Sequence, residues 1–253
     1  MELAGRAALV TGGASGLGAA TARALAKRGA LVTVADRNED GARAVAAQIG
    51  GIAVACDVTD EDGVQTAIAA SQTAHGALRA VVHCAGIGTA ARIVGRDGPM
   101  PLADFAHVVH VNLIGTFNVL RLTADAMSRT PALEDDERGV FVATASVAAF
   151  EGQLGQAAYA ASKGGIAALM LPAAREFARF GVRVMAIAPG FFETPLMDEL
   201  PVQARDALVA HIPFPKRLGR PEEFADLALA CIENRSLNGD TIRLDGALRL
   251  PAR

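Results

Sequence analysis

Tryptophan is absent, tyrosine occurs once and phenylalanine ten times, so aromatic residues reach only 4% of a chain that is 51% hydrophobic. A core with so few aromatics must be built from Ala, Val, Leu and Ile, which suits stacked helices and buried parallel strands. Cysteine is also scarce: Cys56, Cys84 and Cys231 are an odd number without metal-ligand spacing. They read as reduced, small core residues, which argues against a disulfide frame or a metal centre and favours a reducing compartment. No apolar run reaches spanning length, and the start Met1-Glu2-Leu3-Ala4-Gly5-Arg6 leaves no room for a signal or transit peptide. A soluble, cytoplasmic protein with no membrane partner is the expectation. Neither sign of charge dominates: 24 basic against 27 acidic side chains give a net charge of -3, with no dense basic tract. Nucleic acid is therefore not the expected partner.

What is present is a strict alternation. Short apolar or β-branched runs at 7–11, 31–35, 52–56, 80–84, 140–144, 182–188 and 241–244 read as strands. Helical patterns lie between them at 17–28, 39–49, 61–74, 102–127, 156–180 and 221–233. Such alternation predicts an α/β fold, a doubly wound sheet of about seven parallel strands joined by right-handed crossovers, with helices on both faces. The length of 253 residues suits one domain over 1–253. Three segments break the rhythm. Residues 86–101 and the acidic 130–138 read as surface loops, the second solvated and functionally silent, while 189–215, with five prolines, reads as a lid over a ligand. Pro172 lies inside a helical pattern and predicts a local kink.

Directly after the first strand comes Thr11-Gly-Gly-Ala-Ser-Gly-Leu-Gly18. Gly12, Gly16 and Gly18 permit a tight turn and close approach of backbone to phosphate, and with Ser15 and Leu17 they open a helix whose N-terminus favours an anion. Placed between strand and helix, this turn predicts a dinucleotide site of Rossmann type, although the spacing is G-x-x-x-G-x-G rather than G-x-G-x-x-G. Asp36 ends the second strand where an acidic side chain takes the adenosine ribose hydroxyls and repels a 2′-phosphate, so NAD is the expected cofactor. Arg37 beside it keeps NADP open, and an N-terminal helix cap is the alternative reading of Asp36. Asp57 and Val58 are placed to flank an adenine ring, with capping of the next helix as the equal alternative for Asp57. Cys84 ends the fourth strand and Gly86 follows it, where glycine lets the backbone pass near the ligand. His83 reads as a satisfied sheet-end histidine.

The only tyrosine, Tyr159, precedes Lys163 by four residues on a predicted helix, so phenol and ammonium share one face. A neighbouring cation favours phenolate and lowers the tyrosine pKa from about 10, which makes the pair an acid/base device. Gln156 lies on the same stripe, where its amide can meet a thioester or keto oxygen.

Thr11-Gly-x-x-x-Gly-x-Gly18, Asn112, Ser146 and Tyr159-x-x-x-Lys163 together make the chain resemble the short-chain dehydrogenase/reductase family over essentially its whole length. Within that family, 144–152, 156–159, 213–219 and 237–247 look like the type-2 3-hydroxyacyl-CoA dehydrogenase group. The resemblance implies NAD-dependent oxidation of a 3-hydroxyacyl-CoA or a hydroxysteroid-like substrate by a homotetramer. It assigns Tyr159 as the proton acceptor, Ser146 as a hydrogen-bond partner of the reacting oxygen, and Lys163 as the group that tunes Tyr159 and holds the nicotinamide ribose. Asn112 would hold a water that links Lys163 to solvent, while Thr194 and the Phe192 backbone would meet the carboxamide. An NADPH-dependent ketoacyl reductase, a secondary-alcohol dehydrogenase and a dinucleotide-sensing or scaffold subunit are the competing readings. Two departures stand out: His83 replaces the family's usual asparagine, and Glu193 places a carboxylate where close relatives are small. Arg92 and Arg96 in 86–101 are positioned to offset that charge toward CoA phosphates.

Overall fold

The structure, a computed structural model, describes residues 1–198 and 202–252. Strands β1 (Ala7–Thr11), β2 (Leu31–Asp36), β3 (Ile52–Ala55) and β4 (Leu78–His83) are followed by a two-residue hairpin, β5 (Val94–Gly95) with β6 (Gly98–Pro99). Strands β7 (Gly139–Thr144), β8 (Val182–Pro189) and β9 (Thr241–Leu244) complete the set. Apart from the hairpin, all are parallel in one seven-stranded sheet of order β3-β2-β1-β4-β7-β8-β9. The order reverses between β1 and β4, and in sheets of this kind the crevice beyond the strands' carboxyl ends at that switch point is where ligands bind.

Alternate side chains of each strand feed two cores. On one face Val10, Val34, Val82, Val142 and Ile187 pack against Leu25 of α1 (Gly16–Lys27), Val45 of α2 (Glu39–Ile49) and Phe224 of α9 (Pro221–Glu233). On the other, Leu9, Val81, Phe141 and Val184 meet α3 (Glu61–His75), α5 (Gly115–Ser128) and α6 (Ala157–Phe177). Burial on both sides explains why the strands read as continuous apolar runs. Each fully buried aliphatic side chain contributes about 1.5–3 kcal/mol of transfer free energy. Short α7 (Pro195–Asp198) and α8 (Val202–Ala210) lie in the segment read as a lid, whose residues 199–201 are outside the described part.

The structure corrects two local expectations and adds detail to two others. The helix predicted over 102–127 is two helices, α4 (Leu102–Val109) and α5, joined by a π turn at His110–Ile114 that contains Asn112. Helix α6 continues past Pro172, with Ile166, Met170, Ala173 and Ala174 buried on either side of it. The loop at 86–101 contains the hairpin, with Met100 N donating to Ile93 O at 2.9 Å. The acidic stretch 130–138 is not merely solvated: Glu137 is buried, and its Oε1 accepts from Arg183 Nε at 2.9 Å. Among the described residues no helix is long and apolar enough to cross a membrane.

Candidate active site

A cavity of about 840 Å³ lies along the carboxyl ends of β1, β2, β3, β4, β7 and β8. At one end the chain turns from β1 into α1. Gly12 has φ +65°, and a Cβ there would stand 2.5 Å from Ala85 N; a Cβ on Gly18 would stand 2.1 Å from Gly12 O. Only glycine fits either position, which brings β1, α1 and the β4 exit together without side chains between them. Ser15 is the N-cap residue of α1 but makes no side-chain cap, and the first turn holds no acidic residue. Its backbone N–H groups and the positive end of the helix dipole therefore remain available to an anion. Gly16, Leu17 and Gly18 all line the cavity.

Asp36 and Asp57 prove not to be helix caps. Asn38 caps α2, accepting from Gly41 N at 3.1 Å, and Asp60 caps α3, accepting from Gly63 N at 3.0 Å. The Asp36 carboxylate instead accepts from Ala14 N at 3.0 Å and from Asn38 N at 2.8 Å, so it ties the glycine turn to the start of α2. Asp57 accepts from Thr59 N and Thr59 Oγ1 at 2.9 and 2.7 Å, and these bonds hold its carboxyl below the ordinary range. Asp36, Arg37, Asp57, Val58, Cys84 and Gly86 all face the cavity. Burial pushes the Cys84 thiol up to about 11, so it is an unreactive wall residue.

The chemically active residues sit at the other end. Ser146 follows β7 as the N-cap of a 3-10 turn, Val147–Ala149, with its Oγ accepting from Ala148 N at 3.1 Å. Capping and a chemical role are compatible, since the hydroxyl proton stays free to donate. Tyr159 and Lys163 lie one helical turn apart on α6, with the Lys163 Nζ 5.7 Å from the phenol ring centroid. Burial raises the Tyr159 pKa, opposed by a hydrogen bond with Ser146. Burial also pulls the Lys163 ammonium down to about 8. This revises the expectation that the lysine dominates the phenol's acidity in the free protein. Lys163 Nζ is buried and spends one of its three donors on Thr144 O, at 2.7 Å.

That bond ends a chain of contacts across the sheet. Thr144 Oγ1 donates to His83 O at 2.8 Å, and His83 Nδ1 shares a 2.7 Å hydrogen bond with Thr11 Oγ1. Desolvation, with Lys163 adding to it, takes the His83 pKa down to about 3, so this histidine is neutral and structural. Its Nε2 has no hydrogen-bond partner among the described residues. Asn112 is fully buried in the π turn: Oδ1 accepts from Ile87 N at 2.8 Å, while Nδ2 donates to Ile87 O at 2.9 Å and Ser162 Oγ at 3.1 Å. A Cβ on Gly86 would lie 3.1 Å from Asn112 Oδ1 and 3.6 Å from Lys163 Nζ, so these groups converge on one backbone position.

Gln156 faces the cavity, but its carboxamide is drawn to its neighbour, with Oε1 accepting from Gln153 N at 3.2 Å. The Phe192 ring packs on Gly219, and the bridge there uses Glu193 N and Phe191 O, leaving the Phe192 N–H outside that ladder. Thr194 lines the cavity. Sequence reasoning missed Thr144 as the acceptor for Lys163, and it missed Leu208 and Leu250, which also line the cavity. The strand-end position of Thr144 was a signal for the first, whereas nothing local in sequence marks the other two.

A family model described as short chain dehydrogenase matches residues 6–204. The chain is 49% identical over 250 residues to a 3-hydroxyacyl-CoA dehydrogenase type-2 of Homo sapiens, covering 97% of this chain and 96% of that one. It is 34% identical over 255 residues to a 3-oxoacyl-(acyl-carrier-protein) reductase of Thermotoga maritima, covering 98% and 99%. Among solved structures, a 3-hydroxyacyl-CoA dehydrogenase type-2 from Mycobacterium avium matches with a TM-score of 0.95 and 44% identity over 98% of each chain.

Proposed function

Because the chain belongs to the short-chain dehydrogenase family, an oxidoreductase family that uses nicotinamide dinucleotides, we propose that it reversibly oxidises a 3-hydroxyacyl-CoA to the 3-ketoacyl-CoA with NAD. The observation that carries this reading is a single cavity lined by both the uncapped α1 N-terminus and the Ser146, Tyr159 and Lys163 group. The cradle formed at Gly12 and Gly18 suits a pyrophosphate, and Asp36 suits the adenosine ribose. The dinucleotide, when bound, supplies the hydride acceptor. Ser146 and Tyr159 hold the substrate oxygen between two hydroxyls, and Tyr159 takes its proton. Lys163 is the cation near the phenol that would favour its phenolate once ligands are bound, and its ammonium would hold the nicotinamide ribose. Asn112, with Gly86 beside it, holds a water that connects Lys163 to solvent. Thr194 and the Phe192 N–H would orient the carboxamide, Asp57 and Val58 would flank the adenine, and Gln156 would contact the thioester once its amide turns from Gln153.

One domain over 1–253, a cytoplasmic location and a homotetramer belong to the same reading. Exposed Leu102, Ile114, Phe117 and Leu171 on α4 to α6 support association, which sedimentation in solution would test.

Parallel assays with NAD and NADP, using acetoacetyl-CoA and a hydroxysteroid, test the assignment. Turnover of acetoacetyl-CoA with NADH is the expected result, and turnover with NADPH alone would shift the assignment to a ketoacyl reductase. Arg37, which lines the cavity beside Asp36, favours that second reading. Asp36→Ala is expected to narrow the preference for NAD over NADP by about tenfold, the equivalent of 1.4 kcal/mol. An unchanged ratio of kcat/KM values would separate Asp36 from cofactor choice. Replacing both Arg92 and Arg96 by alanine is expected to raise the KM for CoA thioesters while leaving that for a hydroxysteroid unchanged.

A further inference from the structure

The segment after β9 folds back to the main cavity, where Leu250 joins the lining. Leu248 and Leu250 pack with Val147, Phe191 and Ile212 in a small apolar cluster of their own, separate from the two cores of the sheet. Val147 adjoins Ser146, so this cluster abuts the chemical end of the site. Leu250, half-buried, also lines the main cavity, together with Met197 and Leu208.

The tail is fastened there by charge and backbone. Glu151 takes a forked pair from Arg243, at 2.9 and 3.2 Å, and accepts from Leu250 N at 3.0 Å. Arg249 Nε lies 3.3 Å from the same carboxylate. Asp245 ties the two arginines together, at 2.7 Å to Arg243 Nε and 3.3 Å to Arg249 Nη1. Two more bonds continue the seam: Gln153 Nε2 donates to Pro251 O, and Leu154 N donates to Ala252 O, both at 3.2 Å. Glu151, Gln153 and Leu154 belong to the connection between Ser146 and α6, so the tail is attached to the stretch of chain that carries the reacting groups.

We propose that Leu250 closes the acyl end of the substrate site and sets the chain length accepted, with Glu151 as the positioning residue that holds it in place. This rests on the 3-hydroxyacyl-CoA reading above. A thioester whose reacting carbon lies at Ser146 and Tyr159 directs its hydrocarbon end toward Val147, Met197, Leu208 and Leu250, and each added methylene must fit beside Leu250. Shortening that side chain makes room, while enlarging it removes room. One methylene in an apolar pocket changes discrimination by roughly 10–200-fold.

The test compares kcat/KM for 3-hydroxyacyl-CoA substrates of four, eight and twelve carbons in the parent, Leu250→Ala, Leu250→Phe and Glu151→Gln. The long-to-short ratio is expected to rise at least about tenfold in Leu250→Ala and to fall by a similar factor in Leu250→Phe. Glu151→Gln is expected to move it in the alanine direction through KM for the long substrates, with kcat on the four-carbon substrate kept. NAD affinity, measured directly, is expected to stay unchanged in all three, which separates a local effect from a loss of fold. Parental turnover with a ratio that Leu250→Ala and Leu250→Phe both leave in place would overturn the proposal alone. Absence of parental turnover on every chain length would overturn the 3-hydroxyacyl-CoA reading, and this proposal with it.

Discussion

Tyr159→Phe is expected to lower kcat by about 100- to 10,000-fold, the range in which positioned proton transfer contributes. The substitution removes one hydroxyl, bonded to Ser146, and leaves the partly buried ring in place. Cofactor affinity and the unfolding midpoint should therefore stay near parental values while turnover collapses. A variant that still turns over at the parental rate would remove Tyr159 from the chemistry. The same residue offers a second measurement, because tyrosine occurs once and tryptophan not at all. Ultraviolet titration of the free protein reads this phenol alone. Burial disfavours the phenolate, so the midpoint is expected above the ordinary value of about 10. A midpoint below 10 would show that Lys163 outweighs burial even without ligand.

Glu137→Gln carries the largest expected loss of stability. Arg183 is buried, donates to Cys231 O, Ile232 O and Leu237 O at 2.7–2.8 Å, and has Glu137 as its carboxylate partner. Glu137 Oε2 lies 3.3 Å from Arg235 Nε, close enough to pair though outside hydrogen-bond geometry. Removing one member of a buried pair leaves an uncompensated charge and costs about 3–5 kcal/mol. For a chain of this size, each kcal/mol corresponds to about 2–4 °C in the unfolding midpoint. Calorimetry should therefore place the variant roughly 6–20 °C below the parent. A shift under about 2 °C would mean that the carbonyls alone satisfy Arg183.

The strands were legible because both faces of the sheet are buried, which makes Leu9 and Val10, or Val81 and Val82, equally apolar although they serve different cores. The glycine turn and the Tyr159–Lys163 spacing were legible because local geometry alone requires them. What escaped depends on contacts between distant segments. The π turn at Asn112 follows from bonds to Ile87 and Ser162, 25 and 50 residues away, and no local propensity announces it. Glu137 sits in an acidic run that reads as solvated until Arg183, 46 residues on, is brought beside it. The one-turn spacing placed the lysine near the phenol, yet it could not say that the ammonium would bond to the carbonyl at the end of β7.

The bonds linking Thr11, His83, Thr144 and Lys163 run across three strand ends, perpendicular to the strands. The amine is thus tied to the ends of three strands, while the phenol, one turn earlier on the same helix, reaches the end of β7 through Ser146. Any sliding of that helix over the sheet carries both groups away from Thr144 and Ser146 together, so substitutions in its packing layer would register first as lost turnover and only later as lost fold.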